Sequence, residues 1–216
     1  MLTPPSILVT FAVKEEARPF QHRLANASHI CTLVTGMGRQ NAERITRRVL
    51  DAARPDLLIT AGFAGGLDPV LTHGSVLFEV DPTFPRVNQL FSVGAQLGRF
   101  HCAERIAITA AEKQAFRTST GADAVEMESA VIRSLCRERG IPSATVRVIS
   151  DTAAEDLPVD FNALVTPEGR PKPLSFALAL LRQPHIIGEL IRFQRRISRA
   201  AERLAEVLDK CCRTVA

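Results

Sequence analysis

The stretch Ala124-Val125-Glu126-Met127-Glu128-Ser129 sets two carboxylates two residues apart, flanked by apolar Val125 and Met127. On a strand, residues i and i+2 share a face. Glu126 and Glu128 could then point into one cavity while Val125 packs behind them. Burying two acids is costly unless donors or a ligand satisfy them, so the pair marks a candidate site. The same spacing also suits a solvated pair at a helix start, where the helix dipole favours acids. Two further carboxylates stand at strand ends. Glu16 lies where the first strand meets the first helix, and Asp151, with Ser150 beside it, follows the apolar run Ala144–Ile149. In open α/β sheets such ends face the ligand crevice. Two carboxylates in separated environments can divide the roles of general acid and general base.

The elements that must position these groups alternate. Ser6–Val13 is rich in β-formers and predicts a buried strand. Lys14 opens a helix to about Leu24, with Glu15 and Glu16 in its first turn. Ile30–Thr35 predicts a second strand. Gly36-Met37-Gly38 follows, a tight turn that lacks the third glycine of a dinucleotide fingerprint. A helix over about Arg39–Ala53 comes next. Asp56–Ala61 predicts a third strand, ending in the loop Gly62-Phe63-Ala64-Gly65-Gly66-Leu67-Asp68-Pro69. Its glycines allow close backbone approach to a ligand and offer free amides. Gly74–Val80 predicts a strand leaving that loop.

Asp81–Arg105, broken by Pro82, Pro85, Gly94 and Gly98, reads as an excursion over the site. A short strand at Ile106–Thr109 and a short helix at Ala111–Thr118 come after it. Beyond the acidic stretch, a helix over about Ser129–Arg139 and the strand Ala144–Ile149 lead to Asp151. Asp156 and Asp160 read as solvated or capping groups. Helices are expected at about Leu174–Leu181 and from about Pro184 to Cys212. The alternation implies one three-layer α/β domain over 1–216: a central twisted mixed sheet, helices on both faces, and a basic helical C-terminal extension at about 174–216.

Composition narrows the class. The 216 residues are 46% hydrophobic, enough for a substantial core, and no run reaches the roughly 18 apolar residues of a membrane span. Met1–Pro5 lacks the basic region and cleavage pattern of a signal peptide. Five cysteines without metal-ligand spacing read as reduced thiols, and the expected location is the cytoplasm. No metal site is expected. The last helix spaces Ile187, Leu190, Ile191, Phe193, Ile197 and Leu204 on one side and Arg192, Arg195, Arg196, Arg199 and Arg203 on the other. A helix packed on the sheet with a solvated basic face accounts for this. Peripheral contact with a membrane surface or an acidic partner is the alternative. Nucleic acid is not expected, because no recognition motif accompanies the arginines.

Four segments in order resemble the nucleoside phosphorylase/nucleosidase superfamily, in particular its methylthioadenosine/S-adenosylhomocysteine nucleosidase-like branch. They are Ala12-Val13-Lys14-Glu15-Glu16, Ala61–Pro69, Ala124–Ser129 and Val146-Arg147-Val148-Ile149-Ser150-Asp151. The resemblance implies cleavage of the N-glycosidic bond of a purine nucleoside, releasing adenine by hydrolysis. It implies that Glu128 binds the ribose hydroxyls with Met127 against the sugar. Asp151, helped by Ser150, would serve purine N7, and Glu16 would activate water. Phe63, Ala64 and Gly65 would lie under the nucleophile, and Glu126 would take a supporting place. No cofactor is implied, apart from inorganic phosphate as co-substrate if the reaction is phosphorolysis. A homodimer or higher homo-oligomer is implied, with a neighbour covering the site.

The chain also departs from that pattern. Phe63 stands where many relatives carry a small hydroxyl residue. Ile59, Thr60 and Ala61 stand where phosphorylases often place an arginine. The long basic C-terminal segment is similar to hopanoid-associated phosphorylase-type relatives, which points to an adenosyl-lipid nucleoside as an alternative substrate. A second alternative is a catalytically weak nucleoside-binding module in which Phe63 blocks the nucleophile.

Overall fold

A computed structural model describes residues 6–24, 27–164, 166 and 186–213. The helix expected at about Leu174–Leu181 lies outside the described residues. The strands are β1 Ile7–Phe11, β2 Ile30–Val34, β3 Leu57–Gly66, β4 Val76–Val80, β5 Gln96–Leu97, β6 Phe100–Cys102, β7 Ala124–Glu126 and β8 Ser143–Asp151. The helices are α1 Lys14–Arg23, α2 Arg39–Ala52, α3 Val87–Ser92, α4 Ala110–Thr120, α5 Ser129–Glu138 and α6 Ile186–Arg213.

The eight strands form one mixed sheet in the order β2-β1-β3-β8-β4-β5, with β7 also on β3 and β6 on β7. β1 is parallel to β2 and β3, and β3 is parallel to β8, whereas β4 runs antiparallel to β8. Strand alternation divides the core. Ile7, Val9 and Phe11 face one side, with Ala17 and Phe20 of α1, Leu90 of α3, and Leu204, Val207 and Leu208 of α6. Leu8 and Leu58 face the other, against Ala42 and Leu50 of α2 and Ile132, Leu135 and Cys136 of α5. This is the expected three-layer α/β sandwich. From Ala200 onward α6 is part of the core, and each fully buried Leu or Val there contributes about 1.5–3 kcal/mol.

Several boundaries differ from expectation. β3 does not stop at Ala61 but runs through the glycines to Gly66, because β8 continues to pair with it. β8 likewise includes Ser150 and Asp151. Ile106–Thr109 is not a strand. The excursion after Asp81 holds α3, β5 and β6 and does not lie over the site: α3 packs on α6, and Arg86 donates to Cys211 O at 2.7 Å. Only its last residue, Arg105, reaches the cavity described next.

Candidate active site

On the edge of β3, β1 pairs as far as Thr60 and β7 takes over at Gly65 and Gly66. Beside this gap opens a cavity of about 300 Å³, a size suited to a small organic ligand. Glu16, Phe63, Ala64, Gly65, Glu126, Met127, Glu128, Ser150 and Asp151 all line it. The structure therefore brings together every residue singled out from the sequence.

Glu16 is the third residue of α1, and its carboxylate turns back to the helix start. Oε2 accepts from the amides of Ala12 (2.9 Å) and Val13 (3.0 Å), and Oε1 from the amide of Phe63 (2.8 Å). Burial pushes the Glu16 carboxyl above the usual range, against the pull of those amides and Arg147. Gly62 is what lets the carboxylate approach β3, since a β-carbon there would sit 2.6 Å from Glu16 Oε1. The amides expected to be free in the glycine segment belong to a strand, and that of Phe63 serves Glu16. The Phe63 side chain is half-buried against the core.

Glu126 and Glu128 do not share a strand face. β7 ends at Glu126, and Glu128 is the residue that caps α5. Helix-start geometry and burial, set against each other in the sequence reading, both hold. Glu126 is fully engaged: it accepts from the Glu128 and Ser129 amides (3.0 and 2.8 Å), from Ser129 Oγ (2.8 Å) and from Arg147 (2.7 Å). Burial alone would raise its pKa, but Arg147 and these bonds outweigh it and hold Glu126 ionised. Glu128 accepts one bond, from the amide of Gly38 at the start of α2 (2.7 Å). Gly38 has φ of 84°, a backbone state that glycine adopts without strain. Burial, then the neighbouring charge of Glu126, pushes Glu128 up to about 7.

Asp151 and Ser150 reach the cavity together because of a local irregularity. The β3–β8 register passes from Ala64↔Ile149 to Gly65↔Asp151, so Ser150 is an extra residue on β8. Neighbours on a regular strand point to opposite faces, and a bulge re-aims one of them. Ser150 Oγ donates to Asp151 Oδ1 at 2.6 Å.

Three features were not read from the sequence. Arg147 is 2% exposed and sits among Glu16, Glu126 and Glu128. A charge inside the run Ala144–Ile149 was a usable signal for it. Lys113 of α4 is fully buried against Asp151; no sequence pattern separates it from a solvated helix lysine. The outer wall joins distant segments. Phe161 and Phe193 pack at 5.5 Å, and Asn162 exchanges two 3.0 Å bonds with the backbone of Ile106. Asp156 caps α4 by accepting from the Ala110 amide.

Known proteins resemble this chain in sequence and in fold. The 5'-methylthioadenosine/S-adenosylhomocysteine nucleosidase of Shewanella halifaxensis is 25% identical over 184 residues, covering 69% of this chain and 79% of its own. That of Glaesserella parasuis is 27% identical over 195 residues, covering 72% and 82%. The Campylobacter jejuni 5'-methylthioadenosine/S-adenosyl homocysteine nucleosidase structure superposes with a TM-score of 0.70 at 17% identity, over 98% of this chain and 100% of that one. The futalosine hydrolase of Helicobacter pylori gives 0.68 at 16%, over 95% and 96%. The sequence model of the phosphorylase superfamily matches residues 7–78 and 92–182. The chain belongs to the phosphorylase superfamily.

Proposed function

We propose that this protein is a nucleosidase that hydrolyses the N-glycosidic bond of an adenine nucleoside and releases the free base. The observation that carries the reading is the gathering of Glu16, Glu128 and Asp151 around one cavity. Glu16 meets β3 at Gly62 and Asp151 meets it at Gly65, three residues or roughly 10 Å of strand apart. That separation leaves room for a water and a glycosidic bond between base and acid, as in other glycoside hydrolysis by two carboxylates.

In the proposed reaction Glu16, ionised, takes a proton from water as the water adds to C1′. The C1′–N9 electron pair passes to the purine, and Asp151 gives N7 a proton. Glu128 holds the ribose hydroxyls, with Met127 against the ring, and its charge favours the cationic sugar. Glu126 anchors the start of α5 and pairs with Arg147. Ser150 orients Asp151. No cofactor enters this scheme. The methylthioadenosine/S-adenosylhomocysteine nucleosidases among the relatives support adenine as the base.

Hydrolysis is favoured over phosphorolysis by the corner that Glu16 occupies. Three backbone amides that could cradle an oxyanion there already bind its carboxylate. Of the cations at or beside the cavity, Arg147 and Lys113 are paired with buried carboxylates and Arg105 with Glu112. Phe63 contributes its amide to Glu16, which a small hydroxyl residue would contribute equally, so its identity does not remove the base. The test is a panel of adenine nucleosides differing at the 5′ position, assayed with and without phosphate. Free base with free sugar is expected in both conditions; dependence on phosphate, with sugar phosphate as product, would reverse the assignment. Binding without turnover would leave the weak binding module.

An adenosyl-lipid substrate is a second reading, favoured by one observation. Ile187 and Ile191, 46% and 49% exposed and one helical turn apart, extend α6 from the cavity wall at Phe193, beside the exposed Arg192, Arg195 and Arg199. No helix among the described residues is long and apolar enough to cross a membrane, so any contact would be peripheral. Co-sedimentation with anionic vesicles at low salt tests it, and failure to sediment rejects it. A cytoplasmic homo-oligomer remains the proposed state, checked by light scattering.

A further inference from the structure

Lys113 has a fully buried side chain on a helix otherwise half in solvent. Its ammonium reaches Asp151 Oδ2 at 2.5 Å, Thr152 O at 2.9 Å and Glu155 O at 2.8 Å. An ammonium has three hydrogens and accepts nothing, so all its donors are used. A buried charge is tolerated only with such complete pairing. Two of the acceptors are carbonyls of the segment that follows β8. The third is the carboxylate of Asp151, whose buried cation is Lys113, whereas Arg147 lies among Glu16, Glu126 and Glu128.

We propose that Lys113 is a positioning residue for departure of the base: its ion pair with Asp151 strengthens as Asp151 yields its proton to the purine. The inference rests on the reading of Asp151 as the acid for N7. When the proton passes from the Asp151 carboxyl to N7 and the C1′–N9 pair passes to the purine, a full negative charge stays on Asp151. Glu16, Glu126 and Glu128 share that cavity and oppose a further charge, while Arg147 is committed to Glu126. Lys113 supplies the compensating charge where water is excluded and Coulomb attraction is several times stronger than in solution. It favours the anion formed in the transition state over the neutral carboxyl of the ground state, which is the condition for raising kcat.

The same ion pair is already formed in the free enzyme. The groups around Asp151 are Lys113 from α4, Ser150 from β8, and, on the walls of the same cavity, Glu15, Glu16, Arg105, Glu126 and Glu128. Behind Lys113 stands Glu155, paired with His73 at 2.7 Å and Arg196 at 2.8 Å. A purine leaves with a proton that comes in the end from solvent, so its release weakens as pH rises, whereas a leaving group that needs no proton is spared.

The experiment compares wild type, Lys113→Gln and Lys113→Arg on two ribosides sharing one 5′ group. One carries adenine. The other carries 4-nitrophenol, which leaves as a stable phenolate and needs no proton. Lys113→Gln is expected to lower kcat for the adenine nucleoside by about 10²-fold, with KM little changed and nitrophenol release reduced far less. Lys113→Arg should restore much of the adenine rate. Equal losses on both substrates would make Lys113 a structural residue and overturn the proposal. If the variants do not fold, wild type decides: kcat/KM for the adenine nucleoside should fall more steeply than for the nitrophenyl riboside between about pH 6 and pH 8, and parallel profiles overturn the proposal. Wild type that releases nitrophenol but no adenine also overturns it; wild type inert on both ribosides removes the nucleosidase reading and this inference with it.

Discussion

At the N-terminal end of β8, Asp81 accepts from Ser143 Oγ and from Arg133 at 2.8 Å, Arg137 lies 3.5 Å away, and Arg133 also pairs with Glu79 at 2.5 Å. Two acids there face two arginines. Although burial is the largest single influence on Asp81, Ser143 and the arginines outweigh it and hold its carboxyl below the usual range. At the C-terminal end of the same strand, Glu16, Glu126, Glu128 and Asp151 share Arg147 and Lys113 as the buried cations among the described residues. Glu126 is matched there; Glu16 and Glu128 are pushed upward by burial. One end satisfies its charges and serves as scaffold. The other sets four acids against two buried cations, a cost that a substrate's hydroxyls and base can offset.

The contrast can be broken at either end. The largest effect is expected from Asp151→Asn, which should lower adenine release by about 10² to 10⁴ while the melting profile stays cooperative. Unchanged turnover would remove Asp151 from the chemistry. Asp81→Asn should do the reverse. Removing one partner of a buried ionic network costs about 3–5 kcal/mol, read as a lowered urea midpoint, with turnover per folded molecule unaltered. A loss of kcat in that variant would show that the two ends are coupled.

A smaller effect is expected at Gly62. The added β-carbon in Gly62→Ala must displace the Glu16 carboxylate, and misplacement by about 1 Å costs up to about 10² in rate. Steady-state kinetics should show kcat reduced with KM nearly constant; an unaffected kcat would mean that Glu16 does not act as the base.

The smallest effect concerns stability and pH. An unfolded Glu128 titrates near 4.3, whereas the folded group is pushed up to about 7. Between those values the folded chain holds a proton that the unfolded chain has lost, so this group's contribution to stability declines as pH rises. Glu128→Gln should therefore stabilise the ligand-free protein at pH 8 by about 1–3 kcal/mol, do little at pH 5, and abolish most turnover. Thermal melts at the two pH values check the sign, and a variant less stable at pH 8 contradicts it.

The alternation of strands and helices, the strand-end positions of Glu16 and Asp151, and the acidic pair were legible because each is local. Backbone periodicity and chain order suffice to read them. The end of β7 was not legible. Glu126 and Glu128 have strand spacing, but α5 begins immediately after them, and its capping amides draw Glu126 inward. Nor was the path of β3 through its glycines, which have no strand preference of their own and pair only because β8 lies alongside.

By itself the sequence determined which acids exist, which strand ends carry them and which family the chain resembles, since these follow from residue order. Tertiary structure alone decided their states. Long-range contacts set Glu16 against Phe63, Glu128 against Gly38 and Asp151 against Lys113, 47, 90 and 38 residues apart in the chain. A carboxylate's protonation depends on burial and on the charges within a few ångströms of it, and neither is a property of its neighbours in sequence.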